Sequence, residues 1–213
     1  MNVLVVKANN RPASEAVSSK MYETFMEEIK GAENLNVTVY DVFEEDTPYL
    51  GQDLFSAFGK LENGEELTDD EQRLLNAKQK AMDMITANDV IVFAFPLWNL
   101  TIPAKLHTFI DYIYSAGFAF KYDENGNAVQ LLTDKKALFL NARGGVYSTP
   151  EAAPMEMSVN YMRNVFGGVC GMEIVDEVII EGHAYAPDRA EKIIAEGLEK
   201  VKEAAKKLVA VTA

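Results

Sequence analysis

Three short segments carry residue types that could grip a small ligand. ANNRPASEAVSS (8–19) offers Asn9, Ser14 and Ser18 ahead of a helix, together with exposed backbone N–H groups. That combination suits one terminal phosphate at a helix N-terminus, where the peptide dipoles sum to roughly half a positive charge. PLWNL (96–100) ends an apolar run with the chain's only tryptophan beside an asparagine. Leu97 and Trp98 present broad apolar surface and Asn99 both a donor and an acceptor, which is what a planar ring with a polar edge requires. NARGGVYS (141–148) places Gly144-Gly145 directly after a strand, where backbone N–H groups can approach a ligand closely.

Each segment has a plain alternative when taken alone. Ser and Asn cap helices, a tryptophan at a strand end can be core, and a diglycine can be a turn. What links the three is the fold that must position them. NVLVVKA (2–8), 36–43, 89–95, 136–141 and 172–180 read as strands, and helices are expected over 18–30, 68–87, 103–115, 151–166 and 187–208. VLVVKA and VIVFAF barely alternate, as expected of strands buried on both faces of a parallel sheet. Thr68-Asp69-Asp70-Glu71 is a capping-box pattern. The expectation is an α/β doubly wound five-stranded parallel sheet flanked by helices, in a single domain over 1–213. Residues 44–66 read as an inserted acidic connection, and Phe118–Leu132 as a hairpin turning at Asn125-Gly126. In such sheets ligands sit beyond the carboxyl ends of the strands at the switch point in strand order, where all three segments would meet.

The net charge of −13 argues against nucleic acid and against an anionic membrane surface. The start of the chain shows no charged n-region or cleavage site, and a single cysteine, Cys170, set in apolar FGGVCGM, reads as a buried thiol in a reducing cytosol. His107 and His183 lie in no zinc pattern, so no metal site is expected. The first loop has neither G-x-G-x-x-G nor G-K-[ST], which leaves a dinucleotide Rossmann site and a P-loop without support.

FPLWNLTIPAKLHTFIDYI, NARGGVYS and IEGHAYAPDRAEKII together resemble the FMN-dependent NADH azoreductases, flavodoxin-like enzymes that also reduce quinones, over nearly the whole chain. The resemblance implies a phosphate loop at Asn9, Ala16, Val17 and Ser18. It implies isoalloxazine contacts at Pro96, Leu97, Trp98, Asn99 and Leu100 and at Ala142, Arg143, Gly144 and Gly145. Position 16 is Ala where relatives often carry Ser, and position 97 is Leu where Met is common. A homodimer in which both subunits shape each flavin pocket is implied as well.

The expected chemistry is NADH reducing bound FMN and leaving, after which a quinone or azo acceptor uses the same face, in ping-pong fashion and with no protein nucleophile. Phe118, Phe120 and Tyr122, alternating on the hairpin, are the candidates for acceptor stacking, with plain packing as the alternative. The rival reading is a flavodoxin-like electron carrier whose acidic surface docks a redox partner.

Overall fold

The computed structural model describes residues 1–210. Five parallel strands, β1 (Asn2–Lys7), β2 (Asn36–Asp41), β3 (Val90–Pro96), β6 (Lys136–Arg143) and β7 (Glu173–Glu181), form one sheet in the order β2-β1-β3-β6-β7. A two-stranded hairpin, β4 (Phe120–Tyr122) and β5 (Ala128–Gln130), stands apart from it. Every residue of β3 is buried, which explains its unbroken apolar run.

Both faces of the sheet are covered. α1 (Val17–Ile29) and α6 (Ala190–Ala210) bury Met21, Phe25, Val201 and Ala205 against one face. α3 (Asp69–Ala87) and α4 (Ala104–Ile113) bury Leu74, Ala81, Leu106 and Phe109 against the other. The capping box at α3 is present: Glu71 N–H donates to Thr68 Oγ1 at 3.3 Å and Thr68 N–H to Glu71 Oε2 at 2.7 Å.

Two expectations need correction. The acidic connection contains α2 (Gln52–Asn63), which buries Leu54 and Ala57 while Phe55, Phe58 and Leu61 stay exposed. The helix expected over 151–166 is broken into a 3₁₀ turn (Ala153–Met155), then α5 (Val159–Met162), which widens into a π-helical stretch (Arg163–Val169). Gly167 and Gly168 lie within that stretch, and glycine is the weakest holder of regular helical geometry apart from proline.

The chain runs from β1 to one side for β2 and returns to the other side for β3, so the switch point lies beyond the carboxyl ends of β1 and β3. The loops that follow β1, β3 and β6 open there.

Candidate functional site

A cavity of about 420 Å³ lies at this switch point. Its first wall is the loop after β1 and the start of α1, contributed by Asn9, Ala16, Val17 and Ser18. Asn9 is buried and ties the loop together. Its Nδ2 donates to Ser18 Oγ at 2.8 Å, and its Oδ1 accepts the Arg11 N–H at 2.9 Å. Ser19 Oγ closes the loop on the Arg11 carbonyl at 2.7 Å. Because Ser18 Oγ accepts from Asn9, its own proton remains to be donated elsewhere. The residue before α1 is Ala16, whose side chain caps nothing. The first N–H groups of a helix have no intrahelical acceptor, so this uncapped start faces the cavity as a set of bare donors. Arg11 and Lys20 add positive charge on the same wall. Arg11 meets Glu15 at 3.5 Å, but both are more than half exposed and that pair contributes little.

The second wall is Pro96, Leu97 and Trp98. Pro96 is the last residue of β3, in register with Ala142, and Leu97 N–H donates to the Ala142 carbonyl at 2.8 Å. Trp98 is half-buried, packs edge-on against Phe43 with ring centres 6.4 Å apart, and turns its remaining surface to the cavity. Trp98 and Thr101 exchange backbone hydrogen bonds at 2.9 and 3.0 Å across a two-residue turn. Its central residues, Asn99 and Leu100, have φ of 51° and 70°. Two positive φ angles mark a type I′ turn, for which asparagine is well suited and leucine is not. Leucine there costs about 1–2 kcal/mol, and the turn is pinned by the Leu100 carbonyl, which accepts Met157 N–H at 2.9 Å. Asn99 is exposed, and neither Asn99 nor Leu100 lines the cavity. In this chain they shape the corner that presents Trp98.

Ala142 and Gly144 form the third wall; Arg143 and Gly145 do not reach it. The Arg143 side chain turns inward and is buried. Its Nε lies 3.0 Å from Glu181 Oε2, an ion pair without hydrogen-bond alignment, and its Nη1 lies 3.7 Å from Glu156 Oε1. Glu181 also accepts Tyr147 N–H at 2.9 Å and the Ser148 hydroxyl. Glu156 accepts the N–H groups of Ser158, Val159 and Asn160 at 2.9–3.1 Å. Burial alone would raise both carboxyls, but these donors outweigh it and hold each below its ordinary pKa. Arg143 thus joins the loop after β6 to the segment before α5.

The glycines have a cause within the chain too. A Cβ on Gly144 would stand 3.0 Å from Ala184 Cβ, and one on Gly145 3.1 Å from the Tyr147 ring. Close approach is required here, by neighbouring protein atoms.

Phe118, Phe120 and Tyr122 do not line this cavity. Phe120 packs with Tyr114 at 5.3 Å and with Tyr122 at 5.8 Å. Phe118 and Phe120 rest half-buried on the core while Tyr122 is 65% exposed. Cys170 is fully buried, and burial pushes its thiol up to about 12, so it is inert as a nucleophile. No group of His, Cys, Asp and Glu among the described residues could hold a metal ion. No helix among them is long and apolar enough to cross a membrane. Arg11, Glu15, Lys20, His183 and Ile194 line the cavity without having been expected there as binding residues. Arg11 and Lys20 were legible as cations flanking the phosphate-type loop, whereas His183 and Ile194 arrive from β7 and α6 only through the fold.

The sequence profile of the family described as "Flavodoxin-like fold" matches residues 1–205. The FMN-dependent NADH:quinone oxidoreductase 3 of Bacillus cereus is 47% identical over 206 residues, 96% of this chain and 98% of that protein. The FMN-dependent NADH:quinone oxidoreductase 1 of Bacillus subtilis is 44% identical over the same shares of both chains. An azoreductase structure from Bacillus anthracis str. Sterne superposes with a TM-score of 0.88 at 46% identity, covering 97% of this chain and 99% of that one. An FMN-dependent NADH-azoreductase from Bacillus anthracis str. Ames Ancestor, solved in complex with FMN, superposes with a TM-score of 0.86 at 26% identity. It covers 98% of this chain and 99% of its own. With near-complete coverage in both directions, and with the sheet order and the three walls just described, this chain belongs to the flavodoxin-like family of FMN-dependent NADH:quinone oxidoreductases and azoreductases.

Proposed function

We propose that this chain binds FMN without covalent attachment and uses NADH to reduce quinones and azo compounds in two-electron steps. One observation carries the reading. A single cavity joins an uncapped helix start, furnished with a free Ser18 proton, to an apolar wall built on Trp98. The donors suit one phosphate and the wall suits a flat ring. One phosphate-type loop without a second, adenosine-type fingerprint favours FMN over FAD.

Bound FMN supplies the hydride chemistry; the chain's residues bind, orient and screen. The first N–H groups of α1, with Ser18, Arg11 and Lys20, hold the phosphate. Pro96, Leu97 and Trp98 fix the plane of the ring from one side. The Gly144 carbonyl is held by the loop after β7, and Gly144, which lines the cavity, offers its N–H to the polar edge of the ring, where negative charge grows on reduction. No side chain is placed as an obligatory acid or nucleophile.

NADH and acceptor occupy one open face in turn, so double-reciprocal plots should be parallel. Phe118, Phe120 and Tyr122, outside the cavity of their own chain, serve acceptor stacking across a homodimer, where each copy completes the other's pocket. The enzyme works in the cytosol.

The test is an absorption spectrum of the purified protein before and after NADH, with chromatography of the released flavin. A yellow protein that releases FMN, bleaches with NADH and turns over a small quinone without a partner protein is expected. Released FAD, or no flavin uptake, overturns the reading. Bleaching without quinone turnover would favour an electron carrier, and intersecting kinetic lines would reject the shared face.

A further inference from the structure

We infer that His183 is a cofactor-binding residue of this cavity, presenting its Nε2–H as a neutral donor to an oxygen of the bound FMN. The inference rests on the FMN reading above and adds to it a residue from the last strand's loop.

His183 follows β7 directly, and backbone hydrogen bonds on either side of it set its place. Gly182 N–H donates to the carbonyls of Arg143 and Gly145 at 3.2 and 3.1 Å. Ala184 and Tyr185 N–H both donate to the Gly144 carbonyl, at 3.1 and 3.2 Å. The residue is therefore held against Gly144, one of the residues that frame the cavity, and it lines that cavity itself.

Its two ring nitrogens are not equivalent. Nδ1 is shut off from solvent and has no hydrogen-bond partner. An N–H on Nδ1 would be a buried donor without an acceptor, the rarer and costlier kind of orphan. The proton of the neutral ring therefore belongs on Nε2, the nitrogen on the ring's other side. Protonating both nitrogens would bury charge at the sealed one, and burial lowers the imidazole's pKa accordingly. The result is a donor of fixed tautomer, uncharged at neutral pH. Among the described side chains nothing satisfies it, whereas FMN is rich in oxygen acceptors: phosphate, ribityl hydroxyls and ring carbonyls. A neutral donor complements the cationic Arg11 and Lys20 by adding a directed contact without adding charge.

The test is FMN titration of the apo-protein by flavin fluorescence for wild type, His183→Gln, His183→Asn and His183→Leu, with apo-protein melting alongside. Gln places its amide N–H near the position of Nε2; Asn places it near Nδ1. His183→Leu and His183→Asn should weaken FMN binding about fivefold or more, while His183→Gln should stay within about twofold of wild type. Repeating the titrations with riboflavin locates the acceptor. A defect that persists puts it on the ring or ribityl chain, and one that vanishes puts it on the phosphate; both support the donor role. His183→Leu within twofold of wild type, or rescue by Asn as good as by Gln, overturns the inference. Should the Leu variant not fold, the Gln and Asn pair still decides. Wild-type protein that takes up no FMN would sink the functional reading itself, whereas wild-type binding with indifferent variants would sink only the role of His183.

Discussion

Replacing Arg143 by methionine keeps an unbranched apolar stem of similar course and removes the guanidinium with its charge. Glu156, almost fully buried, and Glu181, 20% exposed, would then face each other without the cation that separates them. Breaking a buried ion pair by deleting one partner costs about 3–5 kcal/mol. The lower end applies here, because both carboxylates keep their backbone and hydroxyl donors and the Glu156 contact is already 3.7 Å. Loss of the guanidinium above the Tyr147 ring, 5.8 Å from its centre, adds a smaller amount. The expected loss is about 3 kcal/mol in urea unfolding of the apo-protein at pH 7. A double-mutant cycle with Glu181→Gln should show coupling of about 1 kcal/mol or more, since the two side chains touch. Were the guanidinium instead a direct flavin contact, Arg143→Met would weaken FMN binding and leave apo stability alone. A loss below about 1 kcal/mol, or strictly additive losses, would refute the inward placement of Arg143.

Ala16→Ser supplies the missing cap at the start of α1 and should raise apo-protein stability by about 1 kcal/mol; an unmoved melting temperature would mean that the helix start is already satisfied. Gly144→Ala should lower apo stability by about 1 kcal/mol, because its Cβ meets Ala184 Cβ at 3.0 Å; unchanged melting with lost FMN binding would assign the glycine to the ligand instead. Glu156 and Glu181 both sit below their ordinary value of 4.5 in the folded state. Their contribution is therefore complete above that value and lost as pH falls through the folded values. Urea midpoints should stay flat from neutrality down to about pH 5 and then drop, with a shallower drop in Glu181→Gln; equal slopes would exclude Glu181 as a source of the acid sensitivity.

The sheet was legible because β1 and β3 are buried on both faces and their sequences show it without interruption. The start of α3 was legible because a capping box is written in four consecutive residues. α2 was not, because it buries only Leu54 and Ala57, and its apolar Phe55, Phe58 and Leu61 point outward, so no inward stripe marks it. The break between Ala153 and Val169 has no local code beyond its glycines. At the cavity, Asn9, Ser18 and Trp98 were marked by residue type and loop position and Ala142 by the family resemblance, and the parallel sheet brings all four to one cavity. Asn99 and Leu100 stand at the corner where the sequence put them, and their left-handed backbone, which no residue pattern announced, turns the chain there. Arg143 shows the limit most plainly. A motif gives a residue its neighbourhood, and only the partners Glu156 and Glu181, far along the chain, decide which way its side chain turns.

The bonds that fasten residues 182–185 to residues 143–145 also bear on motion. With the Gly144 carbonyl shared by two donors and Gly182 N–H shared by two carbonyls, neither loop can swing out without releasing the other. The amides of Gly182, Ala184 and Tyr185 should exchange with solvent deuterium as one cooperative unit, although Tyr185 itself is 78% exposed. A ligand arriving at this side of the cavity finds a surface already set, so little ordering entropy is lost on association. Slow closure of these loops is therefore not what should limit the rate at which cofactor binds.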